Sequence, residues 1–272
     1  MKRVLTALAL VPVLIVVIGY APPFCFLHLV AAAAALALEE FFVLATRSGL
    51  EIFRILGHSC SVLLLGIFWA LPANPWVALL VLVLSCLLFF TVGLRRGDRL
   101  PTVLPGVAAT TLGLIYVSVT LGLMVLMQRS ETACGPGKAW IFFLLVVVWF
   151  GDTAAYYIGH ALGRHPLAPR ISPRKTIEGC LGGFFGNLAA AILAKQILLP
   201  EAPRLQLFLL SLLLGAVSQI GDLAESGLKR GAGVKDSSNL LPGHGGLLDR
   251  IDGVLFASPV MFGYVHFVLG RY

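Results

Sequence analysis

Charged residues are scarce in this chain. Asp, Glu, Lys and Arg make up 12% of its 272 residues, against about 25% in soluble domains. That shortage excludes a water-facing globular surface, because too few polar side chains exist to coat the apolar ones. Cysteine is also sparse. Cys25, Cys60, Cys86, Cys134 and Cys180 lie far apart and mostly in apolar segments. No CxxC pair or His/Cys cluster offers a zinc site or a disulfide framework, so they read as small buried hydrophobes. No GxxxxGK[ST] run exists, which excludes a P-loop. No small-x-small cleavage site follows the basic and then apolar N-terminus, so that stretch reads as an uncleaved first helix. Lacking a long polar linker, the chain reads as one integrated helical domain. The formal net charge of +7 points to membrane topology before nucleic acid, and no nucleic-acid partner is expected.

What is present is hydrocarbon. Mean hydropathy is +0.94 and 58% of residues are hydrophobic. A membrane helix needs about 20 mostly apolar residues. That length gives about nine transmembrane segments, at roughly 4–20, 24–44, 55–71, 76–94, 103–127, 139–159, 179–199, 205–224 and 251–269. The expected fold class is an all-α integral membrane protein. Turn chemistry separates the segments at Pro22-Pro23, Pro72 to Pro75, Gly135-Pro136-Gly137 and Pro200 to Pro203. Alternate connections gather fifteen of the 20 Lys and Arg residues on one side. The positive-inside rule then places the N-terminus in the cytoplasm and the C-terminus on the opposite side.

This topology sends four distant polar elements to the cytoplasmic face, where a nucleotide would arrive. They are Asp152 in the sixth segment, the connection 160–178, the end of the eighth segment at Asp222 and Glu225, and the connection 225–250. Residues 1–130 read as a scaffold and 131–272 as the catalytic region.

The stretch Ser226 to Asp252 is the longest polar run. It interleaves Lys229, Arg230, Lys235 and Arg250 with Asp236, Asp249 and Asp252, and carries His244, Gly245 and Gly246. Asp222, Glu225 and Ser226 share one helix face by spacing, as do Asp249 and Asp252. Oxygen-only ligands suit Mg²⁺ or another hard cation; equally, acids at a helix start cap it. Asp222 favours the functional reading, since carboxylates in apolar helices are expensive. The basic residues fit phosphate, or anionic headgroups on the positive side. The glycines fit close phosphate approach, or turns. His244 reads as an acid/base or as a loop hydrogen-bonding residue.

Upstream, Ser172, Arg174, Lys175, Thr176 and Glu178 form either an anion site at a helix start or a plain capped terminus. Gly179-x-x-x-Gly183 and Gly182-x-x-x-Gly186 predict close helix packing. Asp152 is either functional or a structural ion-pair partner. Glu39 and Glu40 read as snorkelling or locally paired.

The residues Ser226, Lys229-Arg230, Lys235-Asp236, Ser238, Leu241-Pro242, His244-Gly245-Gly246 and Asp249-Arg250-Ile251-Asp252 resemble the signature of the phosphatidate cytidylyltransferases, the CDP-diacylglycerol synthases. Gly151-Asp152 and Ser172 to Gly179 look like that family's upstream motifs, so the likeness is specific over about 150–252. It implies a polytopic membrane enzyme that condenses CTP with phosphatidic acid into CDP-diacylglycerol and pyrophosphate. It implies Mg²⁺ on Asp222 and Asp249, K⁺ as an associated cation, and a homodimer. It implies catalytic roles for Asp222, Lys229, Arg230, Lys235, Asp236, His244, Asp249 and Asp252. Asp152, Ser172, Arg174, Lys175, Thr176, Glu178, Ser226, Gly245, Gly246 and Arg250 would bind substrate. The compact chain is read as a bacterial inner-membrane protein with its site facing the cytoplasm. A related CTP-using transferase acting on another lipid phosphate is the competing reading. A transporter is a further one, though it needs no such cation–acid cluster and no inverted repeat is visible. A reporter fused after Tyr272 is expected to lie outside the cytoplasm; cytoplasmic reporter activity would reverse the topology.

Overall fold

The computed structural model describes all residues except Met1, 96–99, Asn239, 241–244 and 271–272, and the side chains of 2–10. Each predicted segment falls on helix. In chain order these are α1 (Lys2–Gly19), α2 (Pro23–Arg47), α3 (Arg54–Ala70), α4 (Trp76–Gly93), α5 (Leu100–Gly113), α6 (Thr120–Gln128), α7 (Gly137–Leu162), α8 (Ile177–Ile197), α9 (Arg204–Gly231) and α10 (Leu248–Gly263). A π-helical turn at Leu114–Val119 joins α5 to α6 into the rod Leu100–Gln128, and another extends α10 to Val268.

Seven described helices are long and apolar enough to cross a membrane, and the chain is an integral membrane protein. α3 is shorter. Its 17 residues span about 25 Å, under the roughly 30 Å hydrocarbon core.

Three expectations are corrected. The fold is helical but not purely so: β1 (Glu131–Thr132) pairs antiparallel with β2 (Gly135–Pro136), and β3 (Pro166–Ala168) with β4 (Ser172–Thr176). Ser172 to Thr176, expected in a loop, is therefore the second arm of a small hairpin. The eighth segment does not end at 224. α9 continues for 28 residues to Gly231 with Lys229 and Arg230 in its last turn. Hydropathy stops at those charges, but cations favour a helix C-terminus, so the backbone need not stop with it.

The described residues also form two compact units rather than one: 1–126 with 228–250, and 127–227 with 251–272. No linker marks the division, because it cuts within α6, α9 and α10.

In the first unit, α2 presents Ala37, Leu38, Phe41 and Phe42 to the interior. Phe41 and Tyr116 meet edge to face at 6.0 Å. Phe53 stacks on Phe89 at 5.7 Å. Ser118 Oγ donates to Ser61 Oγ at 2.8 Å, both buried, a polar tie of the kind that joins helices in lipid.

In the second unit, α7 and α8 pack along their length. A Cβ at Gly186 would lie 2.5 Å from Phe150 O and 2.7 Å from Ala154 Cβ, and one at Gly179 would lie 2.8 Å from Ala155 O. The glycine spacing thus does what it predicts, letting two backbones touch. Gly221 does the same for α9 and α10, where a Cβ would meet Asp252 O at 2.8 Å. At the other end, the fully buried Trp140 donates Nε1–H to Thr132 Oγ1 at 3.1 Å and ties the β1–β2 hairpin to α7.

Gly186→Ala is expected to destabilise the second unit by about 1–3 kcal/mol, as overpacking does. Gly66→Ala, which meets nothing within 4 Å, serves as the control. Thermal unfolding in detergent checks both, and equal midpoints would contradict the close approach.

Candidate active site

The polar stretch is built around two carboxylates of the first unit. Asp249 stands in the first turn of α10, with a side chain only 6% exposed. Its Oδ1 faces the Lys229 ammonium at 2.6 Å. Its Oδ2 accepts from Gly246 N at 2.7 Å and from Ser237 N at 3.0 Å. Lys229 is nearly as buried, at 12%. An ion pair this shielded keeps most of its strength, and losing either partner strands a charge in low dielectric.

The second carboxylate comes from the opposite end of the sequence. Glu40 on α2 is 5% exposed. Ser238 Oγ donates to its Oε1 at 2.6 Å. The Leu247 and Leu248 N–H groups donate to it at 3.0 and 2.7 Å. Those are amides at the start of α10, which lack intrahelical partners, so a distant helix caps this one. Ser237 Oγ lies 2.9 Å from Glu40 Oε2 and 3.0 Å from Asp249 Oδ2. Its single proton is shared between the two acids.

The glycines follow from this crowding. A methyl at Gly246 would overlap Ser237 Oγ and sit 2.5 Å from Glu40 Oε2. Gly245 has φ +78°, and a Cβ there would lie 2.7 Å from Asp249 Oδ2, so neither position admits a side chain readily.

In the second unit, Lys175 Nζ pairs with Asp222 at 2.6 Å, with side chains 26% and 41% exposed. The structure therefore joins the 172–178 segment to the end of α9, two elements the sequence places on one face. Thr176 caps α8, accepting from Gly179 N at 3.1 Å. Glu178 Oε1 lies 2.6 Å from His165 Nδ1, and its other oxygen accepts from Arg164 N and His165 N. These contacts hold the 160–178 connection to itself.

The other candidates are more dispersed. Ser172 is half-buried in β4, and Arg174 beside it is exposed. Asp152 is exposed on α7. Ser226 is buried within α9, as is Glu225. Arg230, Lys235, Asp236 and Arg250 are exposed, and Arg230 Nη1 donates to Val234 O at 3.3 Å. Asp252 accepts from Gly253 N at 2.8 Å. His244 lies outside the described residues.

Two residues escape the sequence reading. Glu40 is not snorkelling or locally paired; Glu39 is, with Arg54 at 3.2 Å and His58 at 3.0 Å. Adjacent helix residues diverge by about 100°, so one acid faces out and its neighbour in. The signal was the buried stripe Ala37, Glu40, Leu44, which puts a carboxylate at a core position. Ser237 was passed over for Ser238, and nothing in its spacing marks it.

Chemically, the described acids offer oxygen donors only, and among the described residues no group of three or more His, Cys, Asp and Glu is gathered for a metal. Mg²⁺ needs no such group, since it keeps waters and uses one or two carboxylates with substrate phosphates. Asp222 in the second unit and Asp249 in the first are each an oxygen donor of the kind a hard cation takes.

The sequence model described as "Cytidylyltransferase family" matches residues 1–268. The phosphatidate cytidylyltransferase of Bacillus subtilis (strain 168) is 40% identical over 152 residues, covering 56% of this chain and 55% of that protein. The phosphatidate cytidylyltransferase of Brucella suis biovar 1 (strain 1330) is 38% identical over 198 residues, covering 72% and 68%. That of Staphylococcus saprophyticus is 42% identical over 144 residues, covering 53% and 54%. The chain thus spans about half to two thirds of the length of the curated relatives it matches.

Lys229→Met is expected to cost roughly 3 kcal/mol by stranding Asp249. Lys175→Met, which breaks a more exposed pair, is expected to cost at most about 1 kcal/mol. Unfolding midpoints in detergent decide; a larger loss for Lys175→Met would overturn the ranking.

Proposed function

The chain belongs to the cytidylyltransferase family, and we propose that it transfers the cytidylyl group of CTP to phosphatidic acid, giving CDP-diacylglycerol and pyrophosphate for phospholipid synthesis. The observation that carries this is the Ser226 to Asp252 signature in a chain matched by the family along nearly its whole length. The names of its relatives supply the lipid.

In this reading a phosphate oxygen of phosphatidic acid attacks the α-phosphorus of CTP in line. The new P–O bond forms as the bond to the β-phosphate breaks, and pyrophosphate leaves with its electron pair. Phosphatidic acid is already ionised at neutral pH, so no general base is required and His244 need not be one. The barrier is repulsion between two anions. Arg174, Lys175, Lys229, Arg230 and Lys235 offset it, and a low dielectric near the lipid boundary strengthens each attraction. Lys175 and Lys229 face Asp222 and Asp249 in the protein itself, so each ammonium starts beside an acid.

We propose Mg²⁺ as the cofactor, with Asp222 and Asp249 as its protein ligands and K⁺ as a second cation to test. When bound, Mg²⁺ would neutralise charge on the CTP phosphates. The proposed setting is a bacterial plasma membrane crossed nine times, with the N-terminus and the active site cytoplasmic and the C-terminus outside. Residues 131–272 carry the catalytic motifs, and the working form is a homodimer.

Purified protein given labelled CTP, phosphatidic acid and Mg²⁺ is expected to form a CDP-lipid. Product with polyprenyl phosphate but not phosphatidic acid would replace the proposed substrate. Asp222→Asn and Asp249→Asn are each expected to abolish Mg²⁺-dependent turnover while still inserting in the membrane; full activity in either removes that residue from the metal.

A further inference from the structure

We propose that Glu40 is a positioning residue for the active site: from α2 it fixes the backbone around Ser237 and Leu247–Leu248, and through them the carboxylate of Asp249. The proposal rests on the reading of the 226–252 stretch as catalytic.

Glu40 binds what surrounds Asp249. The two amides it accepts from, Leu247 and Leu248, immediately precede Asp249. The Ser237 hydroxyl it accepts from is the one that also reaches Asp249 Oδ2. Lys229 holds the other oxygen, Oδ1. The acid is thus set from two sides. Lys229 supplies the charge on one, and the backbone anchored by Glu40 supplies the geometry on the other.

Burial makes the arrangement hard to replace. At 5% exposure, water cannot readily take over four donors. Glutamine cannot either, because its amide nitrogen donates where Glu40 accepts. Aspartate keeps the acceptors but withdraws them by one methylene. Gly246 leaves the space that Glu40 Oε2 fills. A packing role alone does not call for four hydrogen-bond donors on one carboxylate.

The test compares full-length wild type, Glu40→Gln, Glu40→Asp and Glu39→Gln in nanodiscs. Amide hydrogen exchange is read over peptides covering 236–249, and the Mg²⁺ concentration for half-maximal turnover of CTP and phosphatidic acid is measured beside it. Glu40→Gln is expected to speed exchange in those peptides and raise the Mg²⁺ requirement, each by about tenfold, the scale of one lost charge-assisted hydrogen bond. Glu40→Asp is expected to fall between, and Glu39→Gln to match wild type in both. If Glu40→Gln does not accumulate, Ser238→Ala, which removes only the 2.6 Å bond, is expected to move both readouts the same way by a smaller factor. Wild-type exchange, or a wild-type Mg²⁺ requirement, in the first of these variants that accumulates would overturn the proposal. Absence of CDP-lipid from the wild type would defeat the functional reading instead, and the exchange data would then decide Glu40 alone.

Discussion

A carboxylate donated by the second helix terminates the last one. Glu40 takes the Leu247 and Leu248 amides and two serine hydroxyls. A buried amide without a partner costs about 1–3 kcal/mol, so α10 cannot begin where it does without an acceptor at that point. Asp249 inherits its place from that start. The residues at the centre of the polar stretch are ordered by one acid from the part of the chain that carries no signature residue.

Each unit carries its own lysine–aspartate pair. Asp249 and Lys229 lie against each other with little solvent, while Asp222 and Lys175 meet with far more. The first pair is the more shielded of the two. In the proposed reaction, which brings two phosphorylated substrates together, a shielded acid and a more open one serve different ends. One defines a coordinate, and the other can respond to incoming charge. The interleaving of acids and bases that singles out Ser226 to Asp252 is therefore not all spare charge. Part of it neutralises the protein's own charges.

Much of the fold was legible because hydrocarbon imposes a length rule. Each predicted segment falls on helix, and the glycine spacing of α8 foretold its contact with α7. The errors share a cause. Hydropathy marks where a chain leaves lipid, not where a helix ends, so α9 outran its predicted end by seven residues. The β3–β4 hairpin is five residues opposite three, too short for periodicity to register. Motif spacing singled out Asp222, Lys229 and Asp249, because it relates residues that are near in sequence. It missed Glu40, because the partners that give that residue meaning lie on the far side of the chain.

That separation has a consequence for synthesis. Glu40 and Ser237 are 197 residues apart, and a ribosome adding roughly 5–20 residues per second takes about 10–40 s to bridge them. For that interval α2 carries an acid whose permanent partners do not yet exist. The nascent chain must shelter it, either in the headgroup layer or against a temporary donor, until Ser237 to Leu248 emerge. α10 then brings its own anchoring point into contact with one made about 200 residues earlier, so the site closes only once α10 has been made.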